Sequence, residues 1–489
     1  MTEALSTRPS ADLTLAGPRA AVVPAGLQGR ARAVAAAGMV VVPLVIGFGP
    51  WGLEPAAQHG LALMSFVILG WMTHVLDPAI TGLVGLYLAW ALGVVPFRVA
   101  FAGFSNSTPW FLFGAMLFGT MATKSGLARR LAFTVMRRMG SSYSRLLLGL
   151  IVTDFLLTLL VPSGVARVAI MGAVAAGVVE IFGVGRGSRI GRGMFITLTY
   201  TATIFDKMVI AGAASITARG VIEHAGEVPV LWSQWALAFL PVDVLTIVLA
   251  WRLTIWLYPP EREHPPGGGG FLADELQRMG PLSPTEKKAA VLLTLAIGLW
   301  MTDFLHHIPP PMIGIGIGLV ATLPRLGVLD IEDVRRLNFL IVIFVAAAIS
   351  TGEILRETGA LKVLTDSAFG WLGAFIDNPW ESIPVLYWTG FVYHIFLGDE
   401  ISMLATSLPV LMHLARAHGV DPLTLGMIWT FGAGGKIFIY QTAVLVVGYS
   451  FGYFTPRDMF RMGLALTVVE FVLLLVIVPF WWPVIGLWP

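Results

Sequence analysis

TIFDKMVI (203–210) sets Asp206 and Lys207 side by side in a stretch that otherwise reads as membrane. The apolar run Met194–Tyr200 precedes it, and Ala211–Ile216 follows without a charge. One charge at mid-bilayer depth costs about 2.5–3.5 kcal/mol, so two adjacent charges need partners or a task. The surrounding composition decides that this is a membrane at all. Of 489 residues, 56% are hydrophobic and only 12% charged, where a soluble globular protein is about a quarter charged. The excess apolar surface must face something other than water.

Apolar segments of about 20 residues, long enough to cross a hydrocarbon core of about 30 Å, recur along the chain. Full spans are expected at 34–52, 60–76, 79–97, 109–124, 193–218 (broken), 232–256, 288–305, 311–328, 337–352, 422–449 (broken) and 459–483. Two further apolar stretches, 141–183 and 382–417, are interrupted near their middles by VPSGVAR (161–167) and FLGDEIS (396–402). Two ordinary spans are one reading of each; a re-entrant hairpin fits the polar midpoint better, since non-helical backbone at that depth must line a cavity or be buried in protein. The fold class is therefore an all-α polytopic membrane protein of about eleven transmembrane helices and two re-entrant helical hairpins.

Lys and Arg orient it. With the N-terminus inside, 23 of the 31 basic residues fall on cytoplasmic segments, five outside, and Arg167, Lys207 and Lys436 within the membrane. The chain then divides into a flexible cytoplasmic tail (1–33), a first span and first repeat (34–257), a cytoplasmic linker (258–288) and a second repeat (289–489), with the C-terminus outside. A cytoplasmic (inner) membrane is the expected location. The net charge of +2 gives no reason to expect nucleic acid as a partner.

The halves repeat. KSGLARRL (124–131) matches ETGALKVL (357–364), the hairpin midpoints PSGVAR and GDEISM align, and FDKMVI (205–210) aligns with GGKIFI (434–439). Lys207 thus has Lys436 as its repeat-equivalent. An odd number of crossings per repeat inverts the second copy, and inverted repeats with broken helices place a transporter's substrate at the repeat interface.

From these features the chain resembles the divalent anion:sodium symporter family, within the wider ion transporter superfamily. WMTHVLDPAITGLVGLYLAWALGVVP (71–96), FLFGAMLFGTMATKSGLARRLAF (111–133) and FTPRDMFRMGLALTVVEFVLLLVIVPFWWPVIG (454–486) carry the resemblance, in the family's order. The resemblance implies a homodimer, an elevator motion of hairpins and broken spans against a scaffold, and Ser-Asn-Thr motifs at both hairpin tips that hold sodium and substrate carboxylates. Both motifs are missing here. Ser163, Gly164 and Val165 stand at the first tip; Asp399, Glu400 and Ile401 stand at the second.

The candidate substrate-binding set is these six residues with Arg167, Asp206, Lys207, Ser402, Lys436, Gln441 and Thr442. An ammonium is a monovalent cation with three donors. Lys207 and Lys436 are accordingly expected to replace two sodium ions as tethered cations, offset by Asp206 and by Asp399 and Glu400. The expected function is secondary transport of a small anion, a carboxylate or oxyanion, coupled to protons or to anion exchange. A sodium-coupled dicarboxylate or sulfate symporter, and a cation or proton antiporter, are the alternatives on the same fold. Asp154, Asp243 and Glu470 are further membrane carboxylates; Asp243 and Glu470 sit at nearly equivalent positions of the two repeats, and a helix–helix seam is the favoured reading of these two.

Other chemistries find little support. TFGAGGKIF (430–438) has Thr430 and Ile437 where a phosphate-binding loop needs Gly and Ser or Thr. GVGRGSRIGRG (183–193) follows no strand and reads as a cytoplasmic connection. GLARRLAFTVMRRMG (126–140) reads as an amphipathic helix at the cytoplasmic lipid interface. The nine histidines form no metal-binding pattern and cysteine is absent, so no metal, cofactor or enzyme activity is expected.

Overall fold

The computed structural model describes residues 29–161, 163–266 and 270–488; residues 1–28 of the expected tail, Pro162, residues 267–269 of the expected linker and Pro489 lie outside them. All regular structure among the described residues is helical. In chain order the longer helices are α1 (Arg30–Phe48), α2 (Pro55–Thr73), α3 (Pro78–Ala91), α4 (Ser107–Lys124), α5 (Leu127–Met139), α6 (Tyr143–Leu160) and α7 (Gly164–Ile181). There follow α8 (Arg189–Met208), α9 (Ala213–Gly226), α10 (Trp232–Leu257), α11 (Phe271–Arg278), α12 (Pro284–Met301) and α13 (Pro310–Val320). The last are α14 (Phe339–Glu357), α15 (Pro379–Leu397), α16 (Glu400–His418), α17 (Pro422–Gly432), α18 (Ala443–Ser450) and α19 (Pro456–Val484).

Local chemistry sets many of these starts. Proline opens α2, α3, α12, α13, α15, α17 and α19, where its missing N–H is one that the helix leaves unpaired anyway. Ser188 caps α8 by accepting from Gly191 N, and Ser283 forms a capping box with Glu286 at α12.

Among the described residues, eight helical segments are long and apolar enough to cross a membrane, and α4 bends by 66° into α5. Two expected spans are shorter than the apolar pattern implies. Over 79–97 the long helix is Pro78–Ala91, with Phe97 opening a separate short one, and 311–328 is helical only as Pro310–Val320, because turns at 92–96 and 321–327, each containing a proline, end the helices early. At 1.5 Å per residue, neither reaches the roughly 30 Å of a hydrocarbon core alone.

The centre of the molecule is α8. From Ile190 to Met208 only Arg192 and Asp206 escape full burial, with α6, α7, α10 and α18 packed around the helix. α9 lies along α16, and α17 packs on α9, α15 and α16. α1, α2 and α3 continue onto α14, which also meets α4 and α16. Four helix breaks converge on this centre: one between α6 and α7, flanked by Val161 and Ser163, then 209–212 between α8 and α9, 398–399 between α15 and α16, and 433–442 between α17 and α18.

The expected linker lies against the helices rather than hanging free. Glu261 accepts from Ile190 N at 3.1 Å at the start of α8, and the Glu263 carbonyl accepts from Tyr143 N at 2.8 Å at the start of α6. On α5, Arg130 pairs with Glu286 at 2.6 Å.

Candidate functional site

Asp206 and Lys207 end α8, and consecutive helical residues point about 100° apart. They serve different neighbours. Asp206 turns to the break between α6 and α7, accepting from Arg167 Nη1 at 2.8 Å through Oδ1 and from Gly164 N at 3.1 Å through Oδ2. A Cβ on Gly164 would press against Asp206 Oδ2 and the Ala202 carbonyl, so this approach requires glycine. Arg167 is fully buried. It also donates to Asp154 Oδ1 at 3.0 Å, the Val161 carbonyl at 3.2 Å and the Ala202 carbonyl at 2.6 Å. Asp154 completes the network by accepting from Thr201 Oγ1 at 2.9 Å. One arginine between two aspartates fastens the tip of the first helix pair to α8.

Lys207 turns the other way, into the break between α17 and α18. Its Nζ lies 3.8 Å from Glu470 Oε2 on α19 and 5.6 Å from the centroid of the Phe431 ring. A Cβ on Gly434 would fall on that Nζ; the unwound backbone at 433–435 admits the lysine because no side chain stands there. Lys436, within the same break, lies 3.1 Å from Glu400 Oε2 at the start of α16. All four side chains are at most 8% exposed. Neither ammonium makes a well-aligned hydrogen bond to a described residue, nor do Glu400 Oε1 and Glu470 Oε1. Two buried lysine–glutamate pairs with donors and acceptors still open form the middle of the site.

The other sequence candidates shape the breaks. Ser163 caps α7 by accepting from Ala166 N at 3.3 Å. Asp399 caps α16, accepting from Ile401 N at 3.2 Å, Ser402 N at 3.1 Å and Ser402 Oγ at 2.6 Å. Gln441 Oε1 accepts from Ile437 N at 2.7 Å and Phe438 N at 2.8 Å, while its Nε2 donates to the Gly435 carbonyl at 3.3 Å. That glutamine thus folds the backbone around Lys436. Thr442 caps α18 through Val444 N at 3.4 Å. Val165 and Ile401 are half-buried apolar residues beside the tips.

The pairing of charges differs from the sequence expectation in two respects. Asp206 is bound to Arg167 instead of Lys207, and Asp399 is a helix cap, so Glu470 takes the role expected of Asp206. Glu470 and Asp154 do lie on helix seams, yet each carries a partner of a site residue. His394 was not singled out in the sequence; its Nε2 lies 3.2 Å from the Gln441 carbonyl, and its Nδ1 has no partner among the described residues. Asp243 is buried, and its Oδ1 also lacks a described partner. No group of three or more metal-ligating side chains occurs among the described residues.

Residues 30–488 match the family described as the sodium:sulfate symporter transmembrane region. The chain belongs to this family. It is the divalent anion:sodium symporter family that the sequence motifs resemble, and membership makes the chain a multi-pass membrane transporter rather than an enzyme. The chain is 27% identical to a membrane protein of Cupriavidus necator over 463 residues, 89% of each chain. It is 26% identical over 402 residues to the citrate/succinate antiporter of Escherichia coli K12, covering 79% of this chain and 80% of that one. With dicarboxylate transporter 1 of Spinacia oleracea chloroplasts it shares 23% identity over 457 residues, 90% of this chain and 79% of the relative.

Proposed function

We propose that this protein is a secondary transporter of a small carboxylate anion, independent of sodium, with Lys207 and Lys436 as tethered replacements for two sodium ions. One observation carries the reading. Two fully buried ammonium groups, at positions that the sequence repeat aligns, each face a glutamate and keep hydrogen-bond donors open. An ammonium has three donors and no acceptor, so it can fill a cation's place and still attract a carboxylate. Arg167 is otherwise engaged, since its donors meet Asp154, Asp206 and two carbonyls. The lysines are the available cations. The E. coli and Spinacia relatives, named for citrate, succinate and dicarboxylate, support the substrate class.

Coupling in this reading comes from protons. Around the breaks stand three basic residues (Arg167, Lys207, Lys436) and five acidic ones (Asp154, Asp206, Asp399, Glu400, Glu470). A carboxylate arriving where acids already outnumber bases meets less repulsion if protons accompany it. Exchange of one anion for another is the second reading, favoured by a relative named as an antiporter. The two halves act as inverted repeats, with the helix pairs α6–α7 and α15–α16 as re-entrant hairpins. They travel with the broken spans in an elevator motion, each protomer of a homodimer doing so against the remaining helices, with the N-terminus inside.

Flux of labelled succinate and citrate into proteoliposomes tests this. Uptake that persists when choline replaces sodium, and that rises with an inward pH gradient, is the expected result. Uptake driven only by anion on the far side selects the exchange reading. Movement of cations without carboxylate flux contradicts the anion reading and returns the cation antiporter.

A further inference from the structure

A cavity of about 310 Å³ opens between α9, α14 and α16, away from the lysine–glutamate pairs. His413 and Arg416, on its wall, follow Glu400 along α16 by about 20 Å and about 24 Å. Its volume lies at the lower end of the range of small-molecule sites. The floor is apolar, built from Val221, Ile349, Leu361 and Pro409. The rim is polar, with Arg356 and Arg416 against Glu227 and Glu353 and the imidazoles of His224 and His413 beside them.

The rim already shows how it treats a carboxylate. Glu353 is held from two sides, by His224 at 2.5 Å and Arg356 at 2.7 Å. At the other end the basic groups are underused. Arg416 makes a single contact, 2.8 Å to Glu227, whose side chain is 63% exposed. A guanidinium carries five donors, so most of its capacity faces the cavity or solvent. His413 has no side-chain hydrogen bond to a described residue.

We propose that this cavity is a separate binding site for a small monocarboxylate with a short aliphatic tail. The carboxylate pairs with Arg416 and His413, while the tail lies on Val221, Ile349, Leu361 and Pro409. An acid with two carboxylates would bury one of them against that apolar floor at high cost, which sets this ligand class apart from the transported one. Because the walls come from α9 and α16 on one side and α14 on the other, an occupant would also join those helices.

Hexanoate is the probe, with hexanol and acetate as its two halves, titrated into the full chain in lipid nanodiscs by calorimetry. Saturable hexanoate binding is expected, with hexanol and acetate each weaker by at least about tenfold. His413→Gln combined with Arg416→Gln, both at the rim, should weaken hexanoate by a similar factor; the unliganded thermal midpoint checks that this variant is folded. Hexanol binding as tightly as hexanoate, or hexanoate binding the folded variant as it binds wild type, would overturn the proposal. Titrating citrate or succinate into the same variant reads the lysine site separately, so failure of one assignment leaves the other measurable.

Discussion

Lys207 occupies the space into which a side chain at Gly434 would project. The contact joins the end of α8 in the first half to the helix break of the second half, and it exists because position 434 has no Cβ. Gly434→Ala should therefore displace the ammonium from between Glu470 and the Phe431 ring. A crowded core position costs about 1–3 kcal/mol, so the variant should still fold, with a lowered thermal midpoint. Its affinity for the transported carboxylate should fall by at least about tenfold. Calorimetry on the monodisperse variant checks this, and unchanged affinity would show that the position of Lys207 does not matter for the ligand.

Arg167 has a different standing. Removing one member of a buried charge network leaves the others uncompensated, at about 3–5 kcal/mol. Arg167→Gln strands Asp154 and Asp206 in this way and should lose folded protein, seen as aggregation in size-exclusion chromatography. Replacing a lysine together with its glutamate leaves no stranded charge. Lys436→Met with Glu400→Gln should remain monodisperse while losing carboxylate binding. A double variant that binds like wild type would mark the pair as structural only.

How much of this was legible beforehand follows from what each signal depends on. Apolar length and the Lys and Arg asymmetry are local properties, so the helices and their breaks were readable. The two lysines stood out because repeat alignment placed them at equivalent positions in apolar surroundings. Their partners were not readable, because pairing depends on which face of a helix meets which neighbour. The sequence sets Asp206 beside Lys207, yet neighbours on a helix point apart, and the geometry sends one to Arg167 and the other to Glu470. The near-equivalence of Asp243 and Glu470 in the repeat was the signal that an acid lay at this depth on α19. The short helices Pro78–Ala91 and Pro310–Val320 escaped for a further reason: an apolar turn is as hydrophobic as the span it ends.

The helix caps at the tips carry a smaller, separable energy. Asp399→Ala removes the acceptor for two backbone N–H groups of α16 and for Ser402 Oγ. N-cap loss costs about 0.5–2 kcal/mol, so the thermal midpoint should drop modestly. Asp399→Ser, which restores a capping oxygen, should recover most of it. No recovery would mean that the carboxylate does something beyond capping.

On the cytoplasmic side of the proposed topology, Arg130 holds the Glu286 carboxyl below its ordinary range, helped by the Ser283 backbone N–H. A carboxyl lowered in the folded state adds stability above its unfolded value of about 4.3, and that stability is lost as pH falls through the folded value. The thermal midpoint should accordingly fall on acidification below about pH 4.3, and Glu286→Gln should lower it at neutral pH while flattening that acid limb. An identical acid limb in the variant would remove Glu286 from the account.

The claim that two tethered ammonium groups stand in for sodium is tested most directly by equilibrium binding. Citrate or succinate, whichever the wild-type protein transports, is titrated into the purified chain in choline buffer and again in sodium buffer. The account predicts the same affinity in both, within about twofold, and its loss in the Lys436→Met, Glu400→Gln variant in both. Binding that is absent in choline and appears with a saturable dependence on sodium would contradict it.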